Sequence, residues 1–248
     1  MEETRRWVSV EQLVLARKGL MYIREASLYL IIGSLLVSIA IAMLLFIGYS
    51  SAFSFSSAEE YGLHSLKNNM LFAYPTYSMN PLGAIISSFW VIVAVIILFV
   101  GAIIALIGIY GKLLPGAKAL AQYNPSLYGT PETLIRIGYL WGVIILLIGA
   151  LTLIIIIGIF LMIIAYILLF VGNIGLIILM FRLNDDFNES MFMIAGIMFI
   201  IAIFVSLADF IGWILVYAGS QSAIEKVNER IKQLELEEER EKPTGELI

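Results

Sequence analysis

One acid, Asp209, stands inside the apolar run VSLADFIGWILVY at residues 205–217. A carboxylate in that setting has three uses. It can cap a helix: Ser206 stands three residues before it and an apolar run follows, the hydroxyl-to-acid spacing of a capping box. It can hydrogen-bond across helices. It can also hold a proton or a substrate. An ionised Asp near the middle of a bilayer costs about 2.5–3.5 kcal/mol on insertion scales, and such residues are functional candidates by default. Asp209 is therefore the transport candidate of this chain.

Little else here could do chemistry. The chain has no cysteine, which removes disulfides, thiolate catalysis, iron–sulfur clusters on thiolates and cysteine zinc sites. Its single histidine, His64, stands near Glu60 and reads as a surface residue; one histidine excludes paired-histidine haem ligation and His-rich metal sites. No nucleophile–base pair, P-loop, dinucleotide fingerprint or metal cluster is evident, so no cofactor, no metal, no catalytic residue and no enzymatic activity is expected. Nucleic acid is not an expected partner. Asn173, within an apolar stretch, is placed to bond across helices. Asn188-Glu189-Ser190 matches a glycosylation sequon, but a loop this short and close to the membrane is not expected to be modified.

Small residues recur at helical spacing. Gly138 and Gly142 form a GxxxG, Gly149 follows, and Gly101 with Ala105 and Ala208 with Gly212 repeat the pattern. Such residues let membrane helices approach closely. They serve packing within the chain or a face between two copies. LFVGAI (98–103) and LFVGNI (169–174) nearly match, the hint of an internal repeat.

These residues need elements to carry them, and composition says which. The 248 residues are 61% hydrophobic and 14% charged. A soluble domain has about 45–50% apolar and about 25% charged residues. Residues 26–58, 68–111 and 137–181 contain no Asp, Glu, Lys, Arg or His. About 18 or more consecutive apolar residues read as a membrane-crossing helix. The expected fold is an all-α, polytopic integral membrane helix bundle with five hydrophobic segments, near 26–49, 81–110, 133–156, 160–182 and 191–219. The 45 uncharged residues 137–181 would reach roughly 67 Å as one helix against a hydrocarbon core of about 30 Å, so they divide, with a turn near 157–160. The fifth segment is either one span or, if the helix breaks at Ser206, a re-entrant pair that raises the count to six. Thr130-Pro131-Glu132 has the order of a helix start, so the third span is expected to begin at Pro131.

Residues 1–25 place apolar side chains at helical spacing among Arg5, Arg6, Arg17, Lys18 and Arg24, the pattern of a basic amphipathic helix, either lying on the membrane surface or serving as a soluble helical lead-in to the first span. No cleavable leader is evident, so the first span is expected to act as an uncleaved anchor. Residues 50–80 read as a loop rich in Ser, Phe and Tyr, with Glu59, Glu60 and Lys67. Residues 221–248 form a charged helical tail in which Ile224, Val227, Ile231 and Leu234 repeat at a/d spacing, either a solvated extension or a short seam between copies. Trp90, Trp141, Trp213, Tyr139 and Tyr217 fall near span ends, as in an aromatic belt. Basic residues concentrate in the N-terminal segment and in the loop after the second span, which places the N-terminus in the cytoplasm. Returning the tail to that side would leave Lys67 as the one base opposite. Absent cysteine, four glutamines and abundant isoleucine fit a thermophile.

GLMYIREASLYLIIGSLLVSIAIA (19–42), AQYNPSLYGTPETLIRIG (121–138) and MFRLNDDFNESMFMIAGIMFI (180–200) resemble the archaeal family of multi-spanning membrane proteins called domain of unknown function 973. The likeness covers most of residues 19–219. NDDFNES departs from the Leu-Gly expected before the acidic pair. The resemblance implies an archaeal cell membrane and transfers no activity and no catalytic residue. The expectation is a non-enzymatic accessory, structural or assembly component, with the bilayer and other copies or membrane subunits as partners. The alternative is a small ion or solute transporter or channel using Asp209.

Overall fold

The computed structural model describes residues 9–68, 81–153 and 156–241. Among the described residues there are helices and turns and no strand. In chain order they are α1 (Val10–Asn68), α2 (Pro81–Gly108), a π-helical turn (Ile109–Leu113), α3 (Leu114–Tyr123), α4 (Pro125–Ile135), a second π-helical turn (Arg136–Trp141), α5 (Gly142–Leu151), α6 (Ile157–Phe187), α7 (Ser190–Ala202) and α8 (Ser206–Glu241). Among the described residues five stretches are long and apolar enough to cross a membrane: Val10–Tyr49, Ser88–Tyr123, Pro125–Leu151, Ile157–Phe187 and Leu207–Glu237. Ser190–Ala202 is apolar but shorter.

The breaks have local causes. Asn124 is extended (φ −142°, ψ 90°), as a residue before proline prefers, and Pro125 opens α4, where no N–H is missed. The third span therefore begins at Pro125, and Pro131, expected as its first residue, lies inside the helix. The division of residues 137–181 also falls earlier than expected. The Thr152 hydroxyl donates to the carbonyls of Ile148 (2.8 Å) and Gly149 (3.3 Å), and α5 ends there. Residues 154 and 155 lie outside the described residues. Gly158 fits the return because a Cβ would press on the Thr152 backbone.

The fifth segment is broken. α7 ends at Ala202, α8 starts at Ser206, and the two run antiparallel: Gly212 lies against the Phe199 ring and Gly219 against Met191 and Phe192. The link from α6 into this hairpin is Asn188, left-handed at φ 49°, a conformation that Asn tolerates better than most residues.

The chain forms two units. The first comprises Met1–Ile31 with Ile104–Ile248. Its core draws on Leu20 and Ile23 of α1, Leu120 of α3, Tyr128 of α4, Leu183 of α6, Phe192 of α7 and Val227 of α8. Of the two readings of the N-terminal segment, the helical lead-in fits: residues 10–25 are the start of α1, and they bury Leu13, Ala16, Leu20 and Ile23 in this core. The reason is the crossing with α3, where Gly19 and Gly116 face each other's backbone closely. The tail seam has the same fate: Ile224 and Val227 belong to the core, and Ile231 and Leu234 pack against it. Farther along, helices α5 and α6 turn Leu147, Ile159, Phe160, Ile163 and Ile167 outward, as a lipid-facing surface requires.

The second unit is Ile32–Ile103. There α1 and α2 meet through small residues: Ala40 and Ala94 are fully buried, and Gly101 faces the Gly33 carbonyl and the side chains of Leu36 and Val37. Lipid gives no hydrophobic drive between helices, so close van der Waals approach at such residues carries the association. Of the expected loop at 50–80, residues 50–68 are helical and 69–80 lie outside the described residues.

Candidate functional site

Asp209 sits in the first turn of α8, at the positive end of the helix dipole, just past the hairpin turn Ile203–Val205. The Ser206 side chain, the other half of the expected capping box, lies outside the described residues. The carboxylate is partly buried. Trp213, one helical turn on, presents its indole N–H to it. That indole is 4% exposed and packs on Phe199 at 4.8 Å between ring centroids.

The second π-helical turn approaches from the other side. Tyr139 lies within electrostatic reach of Asp209. Its hydroxyl donates to Asn173 Oδ1 on α6 at 3.0 Å. A π-helical turn disturbs the regular pairing of backbone carbonyls, and here a side chain answers: Tyr110, in the first π-helical turn, donates its hydroxyl to the carbonyls of Tyr139 (3.0 Å) and Leu140 (3.5 Å). Tyr110, Tyr139, Asn173, Asp209 and Trp213 thus form one polar cluster within apolar helices. It offers one acid and a few hydroxyl, amide and indole groups, enough to hold one proton. Among the described residues no group of three or more His, Asp or Glu could hold a metal ion.

Asp209 and Asn173 were legible as candidates, but Tyr139 and Trp213, expected in an aromatic belt, lie in the cluster instead. Trp90 and Trp141 are the exposed ones, at 48% and 53%. Tyr110 carries no signal for this role in its spacing, because its partner is a backbone carbonyl 29 residues away. The packing glycines all meet partners in the chain itself. Gly138 abuts the Gly172 backbone, Gly142 meets Leu169 and Gly149 meets Met162, which sets the third span against α6.

A second polar region holds the opposite end of the hairpin. Lys226 of α8 donates to the carbonyls of Phe187 (3.2 Å) and Asn188 (3.0 Å) and to Glu189 Oε2 (2.9 Å). The Ser222 hydroxyl donates to the same carboxylate oxygen at 2.6 Å. The Ser222 bond and the Lys226 ammonium hold the Glu189 carboxyl below its ordinary range. The buried Tyr128 donates to Asp186 Oδ2 at 2.7 Å, Arg24 donates to Gln221 at 2.8 Å, and Lys112 pairs with Glu25. Segments from α1, the first π-helical turn, α4, α6 and α8 are thereby tied into one polar head.

Five long apolar helices, a shorter apolar helix in a hairpin and a packed polar head define a multi-spanning helical membrane protein. The chain belongs to the family of proteins of unknown function DUF973, whose model matches residues 17–246. No curated protein and no solved structure matches it.

Proposed function

We propose that this chain is a non-enzymatic accessory, structural or assembly component of an archaeal cell membrane, with its N-terminus in the cytoplasm. The observation that carries this reading is the placement of charge. Among the described residues ionisable groups gather in the head, and the apolar segments hold few: Asp209 in α8 and the Glu132–Arg136 pair of the third span. Transport and proton relay usually need several ionisable groups facing a cavity. The head, assembled from distant parts of the chain, is the surface available to partners, which are the bilayer together with other copies or other membrane subunits.

The hairpin supports the orientation. Lys226 lies against Phe187–Glu189, so the tail returns to the side of Arg182. The tail's Lys226, Arg230, Lys232 and Arg240 then join the basic residues around Arg182, the bias of a cytoplasmic face. Native mass spectrometry of the chain extracted from its membrane in lipid nanodiscs tests the proposal. The expected result is a complex with defined subunits and no ion movement in liposomes. A chain that stays alone and conducts ions overturns it.

One observation favours a second reading, transport through Asp209: an interrupted helix with an acid in the first turn of its second half resembles the construction of transporter sites. Asp209→Asn decides. Loss of liposome flux at unchanged melting temperature supports transport, whereas a lower melting temperature with no flux in either protein assigns Asp209 to packing.

A further inference from the structure

The α7–α8 hairpin stops halfway along its neighbour. Gly196 lies against Met180 and Phe181 of the antiparallel α6. Counting outward at about 1.5 Å per residue sets Phe204, at the turn, level with Gly172, the middle residue of Ile157–Phe187. α6 is 31 residues long, roughly 46 Å, against a hydrocarbon core of about 30 Å. The 13 residues of α7 make roughly 20 Å, measured from a polar junction anchored by Glu189 and Lys226. So the hairpin begins in the head and its turn lies near mid-bilayer. The turn is apolar and open: Phe204 is 85% exposed, Leu207 60% and Val205 52%.

The consequence is a difference in width between the two halves of this unit. Toward the head, α7 and α8 stand beside α6 and the third span. Past the hairpin turn, α5 and α6 continue without them. Each helix has a diameter of about 10–12 Å, so the hairpin adds roughly 200 Å² of cross-section to one leaflet and none to the other.

We propose that the α7–α8 hairpin is a one-leaflet wedge, and that the protein's partner on this surface is a bilayer bent convex toward the head. The inference goes beyond the accessory reading and does not depend on it, since a transporter with this hairpin would show the same preference.

The full chain without native cysteines allows single labels. Glu235→Cys, in the tail, is labelled with a fluorophore and the protein is reconstituted into small sonicated and large extruded vesicles of one lipid mixture. An impermeant quencher reports the ratio of head-out to head-in molecules. The expected result is a ratio about twofold or more higher in the small vesicles. An equal ratio in both sizes overturns the wedge. The head remains in Phe204→Lys/Leu207→Lys, which draws the turn toward the headgroups; there the size dependence should fall, and a bias as large as in the unaltered chain overturns the assignment to the hairpin. Should that variant fail to fold, a fluorophore on Phe204→Cys decides by depth. Quenching by acyl-chain labels near the bilayer centre supports the wedge. Quenching from the aqueous phase, or at the headgroup depth opposite the head, overturns it.

Discussion

The Tyr139 hydroxyl donates to Asn173 Oδ1 at 3.0 Å and thereby joins the π-helical turn of the third span to the middle of α6, beside Asp209. Interhelical hydrogen bonds of this kind contribute about 0.6–1.7 kcal/mol in membrane proteins, less than isolated desolvation would suggest, because the unfolded chain in lipid also finds partners. Tyr139→Phe should cost about that amount. Unfolding with a denaturing detergent checks it. Tyr139→Phe combined with Asn173→Leu should recover part of the loss, since both polar partners are then gone.

Glu189 gives a pH dependence with a defined sign. Its folded-state carboxyl is held below the ordinary value of 4.5 by Ser222 and Lys226. A depressed acid contributes stability that is complete above its ordinary value and is lost as pH falls through the folded-state value. The melting temperature should therefore drop as pH is lowered below about 4.5. Glu189→Gln should flatten that part of the profile while leaving the neutral-pH slope unaltered.

The crossing of the third span with α6 tolerates no side chain at Gly138, where a Cβ would enter the Gly172 backbone. Gly138→Ala should destabilise by about 1–3 kcal/mol, the range for overpacking. Gly111, in the first π-helical turn, has nothing within 4 Å of the same added atom. Gly111→Ala should be neutral or stabilising by up to about 1 kcal/mol through reduced freedom of the unfolded chain. Thermal unfolding of both variants separates packing from glycine's backbone effect.

Asn188 occupies the left-handed position that ends α6. Asn188→Val should cost about 1–2 kcal/mol, because a β-branched side chain meets the following carbonyl. Asn188→Gly should be close to neutral. Equal melting temperatures for the two variants would show that the junction does not keep this backbone.

Much was legible in the residues themselves. Long uncharged runs specify membrane-crossing helices because lipid demands it locally, whatever the rest of the chain does. The resemblance carried by residues 19–42, 121–138 and 180–200 agrees with the family matched over residues 17–246. Asp209 and Asn173 stood out for a similar reason: polar groups in apolar surroundings need partners. What the residues could not show was which partners. The fifth segment is a hairpin because Gly219 meets Met191 and Phe192 while Lys226 reaches Phe187 and Asn188. Residues 10–25 and the tail seam are core because they join one buried cluster with residues of α3, α4, α6 and α7. Trp213 and Tyr139 left the expected belt for the Asp209 cluster through contacts with Phe199 and Asn173. Periodicity and composition act over one or two helical turns, so they determine helices and their solvent. Where a helix stops beside its neighbour depends on side chains tens of residues away, and that the tertiary structure decided.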